Sequence, residues 1–158
     1  MLAVLRRVPW VVLIVIAVGG AIGALARYAL LSTFPHPAAG FGWAAFGINV
    51  SGCLLIGVLM VLITEARQAH RLVRPFLGTG VLGGYTSFSA YVVDIQHALA
   101  AGAPRAALVY AAGTLMAALA ATWAGIQATR ALTGVPAPDE DWAPSEQGAE
   151  PGAEEEAA

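Results

Sequence analysis

The chemically versatile groups of this chain are neutral and sparse. Asn49, Thr86, Ser87, Ser89, Tyr110 and Thr114 fall inside otherwise apolar stretches. Hydroxyl and amide groups can donate hydrogen bonds to a small anion, replacing its water shell without trapping it by a full charge. Conduction needs that balance, with binding strong enough to admit an ion and weak enough to release it. Tyr110 and Thr114 are four residues apart and share a helix face. The alternative use of each group is hydrogen bonding between membrane helices, common and modest in strength. The anion use gains from a coincidence with the segment Gly78–Tyr91, where Gly78, Gly80, Gly83 and Gly84 precede a block of hydroxyls. Such a segment makes a poor continuous helix. At bilayer depth, irregular backbone is tolerated only where it is buried in protein or lines a wet cavity, and there it can aim carbonyls or hydroxyls at an ion.

Phe88 and Tyr91 lie three apart, on one face of the helix expected after the break. A ring presents a positive edge and a negative face, so edge-on rings attract an anion and face-on rings suit a cation; apolar packing is the other use. Arg27 lies within the first apolar stretch, where a charge either snorkels to the interface or lines an anion vestibule. Cys53 is the only cysteine, which excludes a disulfide or thiolate cluster within one chain, and it reads as a small packing residue.

Enzymatic chemistry finds no machinery. There is no His-Glu-x-x-His, Gly-x-Ser-x-Gly or phosphate-loop pattern. His36, His70 and His97 fall in or near loops, and Asp94 is the sole carboxylate near an apolar span, toward its end. No paired acids and no nucleophile with its base remain, and nothing supports nucleic-acid binding.

These groups are positioned by a membrane scaffold. The chain is 58% hydrophobic and 11% charged, with no lysine and a mean hydropathy of +0.71; a soluble domain carries roughly twice that charge fraction. Four apolar stretches, near Val8–Leu31, Gly42–Thr64, Pro75–Leu99 and Arg105–Thr129, each exceed the roughly 20 residues that span a bilayer core. The first is too long for a signal peptide and three more follow it. The expectation is an all-α membrane protein of four transmembrane helices, the third broken mid-membrane, occupying residues 1–131. Residues 132–158, rich in Pro, Ala, Glu and Gly, form a disordered acidic tail. Arg6, Arg7, Arg67, Arg71, Arg74 and Arg130 fall on one side of this topology and only Arg105 in a loop on the other. The positive-inside rule then places both termini in the cytoplasm, in the plasma or inner membrane of the cell. The dense glycines, including Gly19-x-x-x-Gly23 and Gly80-x-x-x-Gly84, suggest close helix packing and oligomerisation.

Three motifs together, Gly19-Gly20-Ala21-Ile22-Gly23-Ala24-Leu25-Ala26-Arg27-Tyr28, Asn49-Val50-Ser51-Gly52 and Gly78 through Ser89, resemble the CrcB/Fluc fluoride channels over roughly residues 10–129. The resemblance implies an antiparallel, inverted dimer of four-helix subunits through which fluoride leaves the cytoplasm passively by two pores. It implies that backbone carbonyls of Gly83 and Thr86 hold a structural sodium ion (Na+) at the dimer interface. Asn49 would be a pore-lining donor, Phe88 the first pore aromatic, Tyr110 and Thr114 the polar track, and Arg27 the arginine near the pore entrance.

The chain departs from the pattern in three ways. Tyr91 stands where the second aromatic is usually phenylalanine, and Ala118 stands where a further hydroxyl is common. The arginine bias calls for one fixed orientation, whereas an antiparallel homodimer must insert both ways. The expected partner is therefore an oppositely oriented paralogue, with a non-conducting structural subunit as the alternative. A small multidrug-type proton-coupled transporter would need a membrane carboxylate, and the first helix offers none.

Overall fold

The computed structural model describes residues 10–37, 40–66 and 71–134, and these contain helices but no strand. In chain order they are α1 (Trp10–Thr33), α2 (Trp43–Val61) running into a π-helical turn (Leu62–Ala66), a π-helical segment (Arg74–Leu82), the single turn α3 (Gly83–Tyr85), α4 (Phe88–Ala100) and α5 (Pro104–Thr133). Three helices, Trp10–Thr33, Trp43–Thr64 and Pro104–Thr133, are long and apolar enough to cross a membrane. The protein is an all-α, multi-pass membrane protein. Arg6, Arg7, Arg67 and the acidic tail from Val135 onward lie outside the described residues.

The stretch expected to form one broken helix is two helical pieces, but its glycines are not the break. Gly78 through Gly84 stay helical, largely in π register. The interruption falls later, at Thr86 (φ −72°, ψ 154°) and Ser87 (φ −148°, ψ 115°), both extended. Packing explains why the glycines remain ordered: α1 lies along the π segment and α3, and a Cβ on Gly23 would run into the Val81 carbonyl and come within 2.7 Å of the Tyr85 nitrogen. Missing side chains let two backbones touch, and that contact offsets the poor helix propensity of glycine. π-helical turns recur at functional sites, and this one runs through the single turn α3 to the break.

α2 packs chiefly along α5, and again small residues form the seam, with Gly57 facing the Thr122 carbonyl. The interior is built of Ala45, Ile48, Val61, Ala107 and Ala121, while Trp43, Leu108, Met116 and Trp123 face outward. Small residues inside and large apolar ones outside is the pattern expected where lipid, not water, is the solvent. Proline at the start of α5 lacks only an N–H that would have no helical partner there, and α5 ends on the left-handed Gly134 (φ 67°), a conformation that costs glycine nothing.

Candidate functional site

The break is held from α2. Asn49 Nδ2 donates to the Ser87 carbonyl at 3.2 Å, and the Ser87 N–H donates to Asn49 Oδ1 at 2.9 Å. One side-chain amide thus satisfies both polar groups of an extended residue, which inside a membrane protein must find partners within the protein. Gly52 sits nearly one turn further along α2, where a Cβ would strike the Thr86 methyl, so the break rests directly on this helix. Ser87 restarts the chain as the N-cap of α4, its hydroxyl accepting from the Ala90 N–H at 3.1 Å.

Beside the break an open cavity of about 390 Å³ is lined by Asn49, Cys53, Phe88, Tyr91, Thr114 and Ala118, among others. Four of the residues expected to contact an anion, Asn49, Phe88, Tyr91 and Thr114, therefore converge on one space. Asn49 keeps a second amide hydrogen beyond the one given to Ser87. Thr114 is the telling member. The other threonines of α5, Thr122, Thr129 and Thr133, return their hydroxyls to the carbonyls four residues before, at 3.1, 2.7 and 2.8 Å. Thr114 is only 5% exposed, yet its hydroxyl has no partner among the described residues. A buried donor left unsatisfied costs about 1–3 kcal/mol, which singles out Thr114 among the residues that line the cavity.

Tyr91, which stands where phenylalanine is usual, donates its hydroxyl to the Ala111 carbonyl of α5 at 2.9 Å. That bond fastens α4 to α5 and directs the phenolic oxygen at backbone. Its ring lies 5.8 Å from that of Phe88, tilted by 43°. Phe88 itself is 78% exposed in the single chain.

Tyr110 shares the Thr114 face but does not line this cavity. Its hydroxyl donates to Asp94 Oδ2 at 3.1 Å, and Asp94 Oδ1 lies 3.5 Å from His36 Nε2. The carboxylate read from the sequence as peripheral thus ties the loop after α1 to α4 and α5. No spacing in the chain signals that link, because its three members come from different elements. Arg27 donates to the Thr86 carbonyl at 3.3 Å and lines a second cavity of about 360 Å³ with Tyr28, Ser87 and Ser89. Ser87 lines both spaces. Cys53, read as a packing residue, lines the first.

A cation held by backbone needs carbonyls released from helical pairing. The Ser87 N–H, which would close on the Gly83 carbonyl in a continuing α-helix, goes to Asn49. The Ala90 N–H, the corresponding partner of Thr86, goes to the Ser87 hydroxyl. The Thr86 carbonyl takes Arg27 on one lone pair and retains the other. These are hard neutral oxygens of the kind a hard cation takes. Two such oxygens would suit a sodium ion as part of its shell.

The fold is that of an all-α membrane protein whose broken helix borders a cavity lined by neutral donors. Residues 14–126 match the family described as CrcB-like protein, Camphor Resistance (CrcB). The chain is 55% identical over 119 residues to "Fluoride-specific ion channel FluC 1" of Streptomyces coelicolor, covering 75% of this chain and 77% of that one. It is 55% identical over 114 residues to "Fluoride-specific ion channel FluC 2" of Streptomyces avermitilis, covering 70% and 72%. A second Streptomyces avermitilis protein, "Fluoride-specific ion channel FluC 3", is 43% identical over 115 residues, covering 73% and 56%. The chain belongs to the CrcB family of fluoride channels.

Proposed function

We propose that this chain is a subunit of a fluoride-selective channel that lets fluoride leave the cytoplasm down its gradient, lowering fluoride toxicity. The observation that carries this reading is the unpartnered Thr114 hydroxyl, buried in the wall of a cavity that Asn49 and Phe88 also line. Fluoride would exchange water for these donors and for the positive ring edges of Phe88 and Tyr91. Arg27, on the second cavity, raises the local anion concentration without binding tightly inside. In this scheme the segments Arg74–Tyr85 and Phe88–Ala100 together form the third of four crossings. The large exposure of Phe88 supports closure of the cavity by a second, inverted subunit. Sodium, bound by the Gly83 and Thr86 carbonyls of both subunits, would supply a fixed positive charge at the break.

Fluoride efflux from proteoliposomes tests the proposal. Efflux of fluoride with chloride retained, from the chain alone or together with its paralogue, supports it; equal loss of both ions, or of neither under both conditions, overturns it.

A second assembly is favoured by two observations: six arginines against one across the expected topology, and the occurrence of separately numbered channels of this kind in Streptomyces avermitilis. The partner would then be a paralogue of opposite orientation, and this chain could act as its non-conducting structural half. Efflux that requires co-reconstitution with the paralogue supports the heteromer; efflux from the chain alone excludes it as obligate.

A further inference from the structure

On the side of α2 away from the cavity, a groove of about 280 Å³ runs between this helix and the π segment. Leu55, Val58, Leu59 and Leu62 line it from α2, Leu77 and Val81 from the π segment, and every lining residue is leucine or valine. Leu55 and Leu62 stand two and nine residues beyond Cys53, which lines the cavity. At 3.6 residues per turn they lie about half a turn round the helix from it. In the assembly proposed above, the second subunit closes the cavity face, so the groove is left to lipid. Leu55 and Leu62 are 46% and 39% exposed, where the surrounding solvent is hydrocarbon.

The groove ends beside charge. From Leu55 to Leu62 it extends about 10 Å along α2, toward the connection that leads into the π segment. That connection carries Glu65 against Arg67, Arg71 and Arg74, and Arg74 opens the π segment three residues before Leu77. Arg71 and Arg74 are exposed, and their guanidinium groups make no hydrogen bond or ion pair among the described residues. Two cations without an acid, at the end of a wholly apolar groove, match an amphiphile with a negative head and a hydrocarbon tail.

We propose that this groove is a site for an anionic phospholipid. One acyl chain lies between α2 and the π segment, and the headgroup phosphate pairs with Arg71 and Arg74, whose planar forks suit phosphate oxygens. The arginine bias places these residues at the cytoplasmic leaflet, where anionic lipid attracts basic residues beside a membrane helix. Each arginine should favour an anionic over a neutral lipid roughly fivefold, and the pair about thirtyfold.

The test titrates the full chain in detergent micelles with phosphatidylglycerol or with phosphatidylcholine of identical acyl chains. Native mass spectrometry counts the lipid retained, and melting reads the stabilisation. The expected result is one phosphatidylglycerol per chain, held about thirtyfold more tightly than phosphatidylcholine and raising the melting temperature. Glycerol phosphate, the head without the tails, should have no effect. Arg74→Gln should lower the preference about fivefold, and Arg71→Gln added to it should erase it. Leu55→Trp and Leu62→Trp, each at an exposed position of the wall that accepts bulk, should crowd out the acyl chain and cut retention of both lipids.

Equal retention of the two lipids, or a preference that survives both arginine substitutions, overturns the headgroup contact. Stabilisation by glycerol phosphate equal to that by phosphatidylglycerol makes the arginines a soluble-phosphate site and overturns the lipid. Undiminished retention in both tryptophan variants overturns the groove. None of these readouts depends on ion flux, so they decide the lipid site whether or not the chain conducts alone.

Discussion

Replacing Thr114 by valine should raise stability and lower fluoride flux together. The residue is 5% exposed and its hydroxyl is unpaired, so the folded chain carries a desolvation cost of about 1–3 kcal/mol for that group. Valine keeps the branched shape and removes the polar atom, so Thr114→Val should gain on the order of 1 kcal/mol in thermal unfolding. A hydrogen bond to a charged acceptor is worth about 1.5–3 kcal/mol, which corresponds to a roughly ten- to hundredfold loss of fluoride occupancy. Thr129 supplies the control, because it is equally buried but donates to the Gly125 carbonyl at 2.7 Å. Thr129→Val should lose a little stability and leave flux unchanged. The assays are melting of the purified protein and fluoride efflux from liposomes. A Thr114→Val chain that melts lower and conducts as the native would refute the assignment of this hydroxyl to the anion.

Asn49→Asp should abolish measurable flux and lower the melting temperature, because the Ser87 carbonyl loses its donor and a negative charge enters the cavity wall; undiminished efflux would remove Asn49 from the pathway. Gly23→Ala should cost about 1–3 kcal/mol, since its Cβ meets backbone of the π segment and α3, which cannot swing aside; an unchanged melting curve would show that the seam is looser than described. Replacing sodium by a large organic cation should lower the melting temperature of the assembled channel, and the absence of any shift would free Gly83 and Thr86 from an ion-binding role.

Much of this protein is legible without coordinates. Long apolar runs with almost no charge can only be membrane helices, because the bilayer admits no unpaired backbone and few charges. The run Gly78–Tyr91 marks a broken helix, because four glycines and a block of hydroxyls make a poor continuous one. Tertiary structure decided which groups remain free to act. Tyr110 and Thr114 look equivalent along α5, yet Asp94 from α4 takes the first hydroxyl and none of the described residues takes the second. The glycines look like the break, yet α1 packs against them and keeps them helical, while Asn49 of α2 holds Ser87 extended. Local sequence determines what a side chain can donate; whether it has already donated depends on partners from other helices, which no periodicity records.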